Sequence, residues 1–355
     1  MEFLYEYGLF VFKLLTVGII VIAVVAAVFA IALRGSHGRG GEKGTLEITR
    51  LNDQYEDMCE AVMLAIVPDS AQKALEKKLQ KEKKERLKSE KKGAHVAKDE
   101  DADLRHVYVI NFDGDMNASA VDHLREEITA ILSQATSPDE VVLRLESSGG
   151  IVHGYGFAAS QLDRLRKKGV SLTVCVDKVA ASGGYMMACV ADKILAAPFA
   201  ILGSVGVIAQ LPNFNRLLKK HDVDFELLTA GEYKRTLTLF GENTESGREK
   251  FIEQLEEIHT LFREYVAQRR PQVDIDRVAT GETWYGRRAL DVALVDELQT
   301  SDEYLVDCIA SAEVFEVNYV MKKSLAERLG VAVGVGVDGL LIKWWTRLNG
   351  NVHKF

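Results

Sequence analysis

From His106 to Asp192, short apolar runs alternate with longer stretches of helical spacing, and glycine or small polar residues sit at the junctions. That alternation constrains the fold more than any other feature. His106–Phe112 (H-V-Y-V-I-N-F) reads as a strand closed by Asp113-Gly114. Ser119–Gln134 follows as a helix, with Val121, Leu124, Ile128, Ile131 and Leu132 on one face and Ser119 placed to cap it. A strand over 140–145, a helix over 154–167, a strand over 171–176 and an apolar run Tyr185–Val190 complete the pattern. Strands alternating with helices in this way predict an α/β fold with largely parallel strands. The chain carries no internal repeat.

The chemistry is read at the junctions. Val179–Asp192 runs V-A-A-S-G-G-Y-M-M-A-C-V-A-D, which places Ser182 between a strand and a helix. Small neighbours let a substrate backbone approach the hydroxyl. The amide after the serine would lie at a helix N-terminus, where unpaired N–H groups suit an oxyanion. The spacing is A-x-S-x-G rather than the G-x-S-x-G of the nucleophile elbow. Small-residue clusters at strand–helix turns are more often plain packing. Upstream, the strand 141–145 runs into Glu146-Ser147-Ser148-Gly149-Gly150, where paired glycines can leave backbone N–H groups aimed at a ligand. Downstream, Thr229-Ala230-Gly231-Glu232-Tyr233-Lys234-Arg235 puts a lysine just after a glycine turn. A lysine is a general base only when neutral. Its ordinary pKa leaves on the order of 0.1% neutral near pH 7.4, so a depression of about three units by burial is required.

These stretches, with G-S-V-G-V at 203–207, resemble peptidase family S49, the signal peptide peptidase A family. The resemblance extends from the N-terminus to about Phe315. It implies a ClpP/crotonase-like fold of repeated strand–strand–helix units, present here in one copy. It implies Ser182 as nucleophile, Lys234 as general base, the amides of Gly150 and Gly183 as oxyanion hole, and Ser204 as the residue orienting the lysine. It also implies no cofactor, and homo-oligomeric rings or domes in which the serine of one subunit meets the lysine of its neighbour. One departure concerns Gly150: the family usually has proline before the Gly-Gly pair, and this chain has Ser148.

Leu14–Leu33 carries no charge and is bounded by Lys13 and Arg34. It is long enough to cross a bilayer, and acidic Glu2 and Glu6 with no small-x-small cleavage site argue for a retained transmembrane anchor rather than a cleaved signal peptide. Arg34, Arg39, Lys43 and Arg50 follow the span and only Lys13 precedes it, which would leave the large domain in the cytoplasm. The resemblance implies the opposite side, so both orientations stand. The apolar stretch Ile194–Leu211 contains Pro198 and two glycines and reads as buried core strands instead.

The organisation expected is an anchor over 1–34, a basic and partly helical linker over 35–103, a peptidase domain over 104–320 and an amphipathic tail over 321–355. The lysine-rich part of the linker, 73–98, reads as a solvated helical spacer or as a contact for anionic lipid heads. Phe214–His221 reads as a helix, Phe225–Leu228 as a strand, Ser246–Arg270 as a long amphipathic helix ended by Pro271, Trp284-Tyr285-Gly286 as a turn, Arg287–Ala293 as a short helix and Val314–Val320 as a strand. Within the tail, Leu329–Trp345 reads as an interfacial, oligomer-contacting or packed helix. A net charge of −8 and the lack of an aromatic–basic motif argue against nucleic acid as a partner. Cys59, Cys175, Cys189 and Cys308 have no metal-like pairing. The resemblance implies peptide substrates and further copies of the chain as partners, and the apolar span adds the bilayer. His153 with Asp192 is an alternative base and acid for Ser182. A crotonase-like acyl-CoA enzyme and an inactive membrane scaffold are the competing functions.

Overall fold

The computed structural model describes residues 44–93 and 105–321, together with Phe12, Lys13, Leu15 and Thr16. Leu46–Tyr319 forms one compact unit. Most of the span at Leu14–Leu33 and the whole tail helix at Leu329–Trp345 lie outside the described residues. Among the described residues, no helix is long and apolar enough to cross a membrane.

The chain opens with β1 (Thr45–Arg50), α1 (Leu51–Ile66) and α2 (Asp69–Gly93). Asn52 at the start of α1 donates to the Ala312 carbonyl and accepts from Val314 N, at 2.9 and 2.8 Å. The α2 helix carries exposed Lys78–Glu82 and Lys81–Glu85 pairs along its surface. Then follow β2 (His106–Gly114), α3 (Val121–Ile131), β3 (Glu140–Ser147), α4 (Val152–Lys167), β4 (Ser171–Val176), β5 (Val179–Ala181), α5 (Gly183–Ala188), β6 (Lys193–Ala196) and β7 (Ile201–Gly203). The remainder is α6 (Asn215–Lys220), α7 (Glu245–Arg269), α8 (Ile275–Val278), β8 (Thr283–Tyr285), α9 (Gly286–Asp291), β9 (Glu297–Leu298), α10 (Ser301–Ile309) and β10 (Glu313–Val320).

The strands make one sheet in the order β1-β10-β2-β3-β4-β6-β9, with β5 branching from β3 and carrying β7 and β8. Registered pairs are parallel except β7 with β8. The expected α/β class is therefore present, as a mixed sheet. Its central strands are apolar on both faces because helices cover both. Val141, Leu143, Leu145, Leu172, Val174 and Val176 pack with residues of α3, α4 and α5. Val142, Cys175 and Leu195 face the other way, against Leu305 and Cys308 of α10.

Four local expectations change. Ile194–Leu211 forms buried strands only in β6 and β7; beyond Gly203 the chain leaves the sheet, and Ile208 and Leu211 are exposed. Phe225–Leu228 forms no strand, and Phe225, Leu227 and Leu228 are exposed. Trp284 and Tyr285 belong to a strand rather than a turn, because β7 offers them an antiparallel partner: Leu202 pairs with Trp284 and Ile201 with Tyr285. Ser119 does not cap α3. Its N–H and hydroxyl instead donate to the Asp115 carboxylate, at 2.8 and 2.7 Å.

One carboxyl gives a pH test of the core. Glu127 on α3 is buried and accepts from Tyr319 N at 2.8 Å, and burial pushes its pKa up from 4.5 to about 7. The folded chain thus keeps a proton that the unfolded chain releases near pH 4.5, so stability falls as pH rises to about 7 and levels off above. Glu127→Gln mimics the protonated acid and keeps the acceptor. Relative to wild type, it should stabilise by on the order of 2 kcal/mol more at pH 8 than at pH 5. Denaturant melts at the two pH values measure the difference, and equal effects at both would refute the assignment.

Candidate active site

The parallel strands β3, β5 and β7 lie side by side, with Ser147 opposite Ala180 and Ala181 opposite Gly203. Three serines consequently lie at the C-terminal ends of neighbouring strands: Ser147 ends β3, Ser182 follows β5 and Ser204 follows β7. Ser182 is the N-cap of α5, with φ 51° and ψ −119°. A residue with a side chain is held in such a conformation at a cost of about 1–3 kcal/mol, and the sharp strand-to-helix turn it produces is the geometry that exposes a nucleophile. Its own amide is occupied, donating to the Gly203 carbonyl at 2.8 Å. Ser204 is strained in the same sense, with φ 50°, and its amide donates to the Glu282 carbonyl at 2.7 Å. These two bonds hold the adjacent serine turns in place.

The glycine turn after β3 lies directly against Ser182. Gly149 has φ +86°, and a Cβ there would stand 2.8 Å from Ser182 Cβ and 2.7 Å from Gly183 N. Gly149 N donates to Ser147 Oγ at 3.1 Å and Ile151 N to the Met116 carbonyl at 2.8 Å. Between them, Gly150 N has no partner among the described residues. Gly183 opens α5, so its N–H precedes the first acceptor within the helix. Two unengaged amides therefore flank the serine turn. Met116 and Ile151, beside them, expose apolar side chains. Gly149→Ala combines a forbidden φ with a collision, and a displacement of about 1 Å at a reacting centre costs on the order of 100-fold. Peptide hydrolysis by the variant should fall by about that factor or more; activity within threefold of wild type would rule out a critical close approach.

The structure removes one of the acids considered for Ser182. Asp192 accepts from Leu172 N at 2.9 Å and faces Arg166, at the start of β4 and so at the opposite end of the sheet from Ser182. That excludes it as the acid of a triad. His153 is exposed and shares no hydrogen bond with Ser182 among the described residues. Lys234 is likewise exposed, in the irregular segment before α7, and no hydrogen bond joins it to Ser182 in the single chain. The turns after β3, β5 and β7 thus bring together Ser182, Gly183, Gly150 and Ser204, and among the described residues Lys234 shares no hydrogen bond with any of them. Sequence reasoning missed Ser147 as the residue that pins the glycine turn. A serine two positions before Gly149 is the signature of a side-chain turn that accepts the i+2 amide.

Residues 2–162 match the family model described as peptidase family S49 N-terminal, and residues 164–315 match peptidase family S49. A protein named "Probable protease SohB" from Haemophilus influenzae is 49% identical over 339 residues, covering 93% of this chain and 92% of that protein. The chain belongs to peptidase family S49. A second S49 relative, "Probable protease SohB" from Buchnera aphidicola, is 47% identical over 310 residues, covering 86% of this chain and 99% of its own length. Among solved structures, the 1510-N membrane-bound stomatin-specific protease covers 65% of this S49 chain and 98% of its own, at 14% identity and a TM-score of 0.38.

Proposed function

We propose that this chain is a membrane-anchored serine endopeptidase of the bacterial inner membrane, held by Leu14–Leu33, that cleaves unfolded or membrane-associated peptides such as signal peptide remnants. The observation that carries the reading is the Ser182 turn: a strained serine at a helix N-terminus, flanked by two unengaged amides. In this reading Lys234 takes the proton from Ser182 Oγ as the oxygen attacks the peptide carbonyl. The carbonyl oxygen becomes an oxyanion held by Gly183 N and Gly150 N. Collapse of the tetrahedral species expels the amine, protonated by the lysine, and leaves an acyl-enzyme. Water deprotonated by the same lysine then attacks the ester and regenerates Ser182.

The base is supplied by a neighbouring copy of the chain. Two features support this. Lys234 is exposed within one chain, where a base must be shielded from water. The segment that bears it also exposes Ile208, Phe214, Leu217, Phe225 and Leu228, an apolar surface suited to a subunit contact. Ser204, beside Ser182, then orients the incoming Lys234 amine. Detergent-purified protein should be labelled by a fluorophosphonate on Ser182 and should degrade unfolded casein, with label and activity lost together in Ser182→Ala. Casein cleavage that persists in the unlabelled variant would overturn the reading.

A further inference from the structure

We infer that Tyr155 is the positioning residue of the oxyanion site, setting both of its amides through one side chain. The inference rests on the reading of Gly150 and Gly183 given above. Tyr155 lies in the first turn of α4, immediately after the glycine turn, and is fully buried. Its ring is the seat of Gly183: a Cβ on that glycine would fall 2.3 Å from Tyr155 Cγ. Phe112 meets the same ring edge-on, with centroids 6.5 Å apart, which fixes its orientation.

The hydroxyl acts on the other amide. Tyr155 Oη donates to the Asp115 carbonyl at 2.7 Å. That carbonyl can only accept, so the single phenolic proton is committed there. The 2.5 Å contact between Ser147 and Tyr155 is then a donation from Ser147 Oγ to Tyr155 Oη, the Gly114 carbonyl at 3.4 Å being the more distant acceptor for the same proton. Ser147 Oγ in turn accepts from Gly149 N at 3.1 Å. A single directed chain runs Gly149 N–H to Ser147 O–H to Tyr155 O–H to the Asp115 carbonyl. Burial raises the Tyr155 pKa, which keeps the phenol a donor. The chain also fixes which N–H of the turn remains unengaged. With Gly149 N held by Ser147 and Ile151 N by the Met116 carbonyl, Gly150 N is left for the substrate. A ring needed only for packing would be served by phenylalanine. The hydroxyl is what ties the turn down.

Tyr155→Phe in the full-length protein keeps the ring under Gly183 and cuts the chain at its middle. Ser147→Ala cuts it one link earlier without touching the ring. Loss of one oxyanion donor costs on the order of 100- to 1,000-fold, and a displaced donor should cost less, about 10- to 100-fold in kcat. KM should stay within about twofold, because the amide acts on the transition state rather than on the bound peptide. A peptide aldehyde, whose carbonyl oxygen occupies the oxyanion position once Ser182 has added, should lose affinity by a similar factor. The double variant should be no worse than the worse single one, since both break the same chain. The inference fails if Tyr155→Phe keeps kcat and aldehyde affinity within twofold of wild type. It fails equally if kcat falls with the melting temperature while the aldehyde still binds, because that marks a structural role. Should Tyr155→Phe not fold, the kcat and aldehyde affinity of Ser147→Ala decide. Cleavage that survives in Ser182→Ala would instead mean that the underlying reading is wrong.

Discussion

Ser182→Gly is expected to yield a protein that cleaves nothing yet melts no lower than wild type. The serine sits at φ 51° and ψ −119°, a conformation that glycine adopts freely. Releasing that strain stabilises by about 1–3 kcal/mol, while the greater freedom of glycine in the unfolded chain costs roughly 0.5–1 kcal/mol. The net change is therefore near zero or favourable. Ser182→Ala removes the same oxygen and keeps the strain, so its melting temperature should stay close to that of wild type. Both should lose kcat by roughly five to six powers of ten, the scale seen when a serine nucleophile is deleted. Calorimetry and peptide hydrolysis on the three proteins separate the two effects. Residual activity above about 1% of wild type in the alanine variant would dismiss Ser182 as nucleophile, since nucleophile loss removes far more than that. A glycine variant melting well below wild type would mean that the conformation is not strained.

How much of the candidate site could be read from sequence follows from how local its determinants are. The central strands were legible because they are covered on both faces, and such strands carry apolar runs that local pattern reveals, as in V-V-L-R-L of β3. The Ser182 turn was legible because small residues are what a sharp strand-to-helix junction requires. The turn at Gly149-Gly150 was half legible. Its glycines were visible, and the bond from Gly149 N to Ser147 Oγ is local, two residues apart. The link from Ser147 to Tyr155 was not visible, because it depends on how α4 leaves the turn. Phe225–Leu228 and Trp284-Tyr285 show the same limit from opposite sides. Strand propensity records fitness for a half-buried pleated surface and does not supply the partner. Tyr285 found one in Ile201, whereas Phe225–Leu228 found none in a single chain.

The exposed segment leads to the second large effect. Lys234→Ala should abolish hydrolysis nearly as completely as Ser182→Ala, because without a base the hydroxyl is a weak nucleophile. Mixing distinguishes where the base comes from. In a head-to-tail ring, each site takes Ser182 from one copy and Lys234 from the next. When the two inactive variants are unfolded, mixed equally and reassembled, a site is intact only where a Lys234→Ala copy supplies the serine and a Ser182→Ala copy supplies the lysine. Random assembly makes that about one site in four, so activity should recover to roughly a quarter of wild type. If serine and lysine belonged to the same chain, every mixed site would lack one of them and the mixture would stay inactive. A recovery near one quarter would also account for the apolar side chains around Lys234, since the surface that covers them would be the one that brings Ser182 to the lysine. Near-full activity of Lys234→Ala alone would remove the lysine from the mechanism. His153, exposed at the start of α4, would then be the residue to replace next.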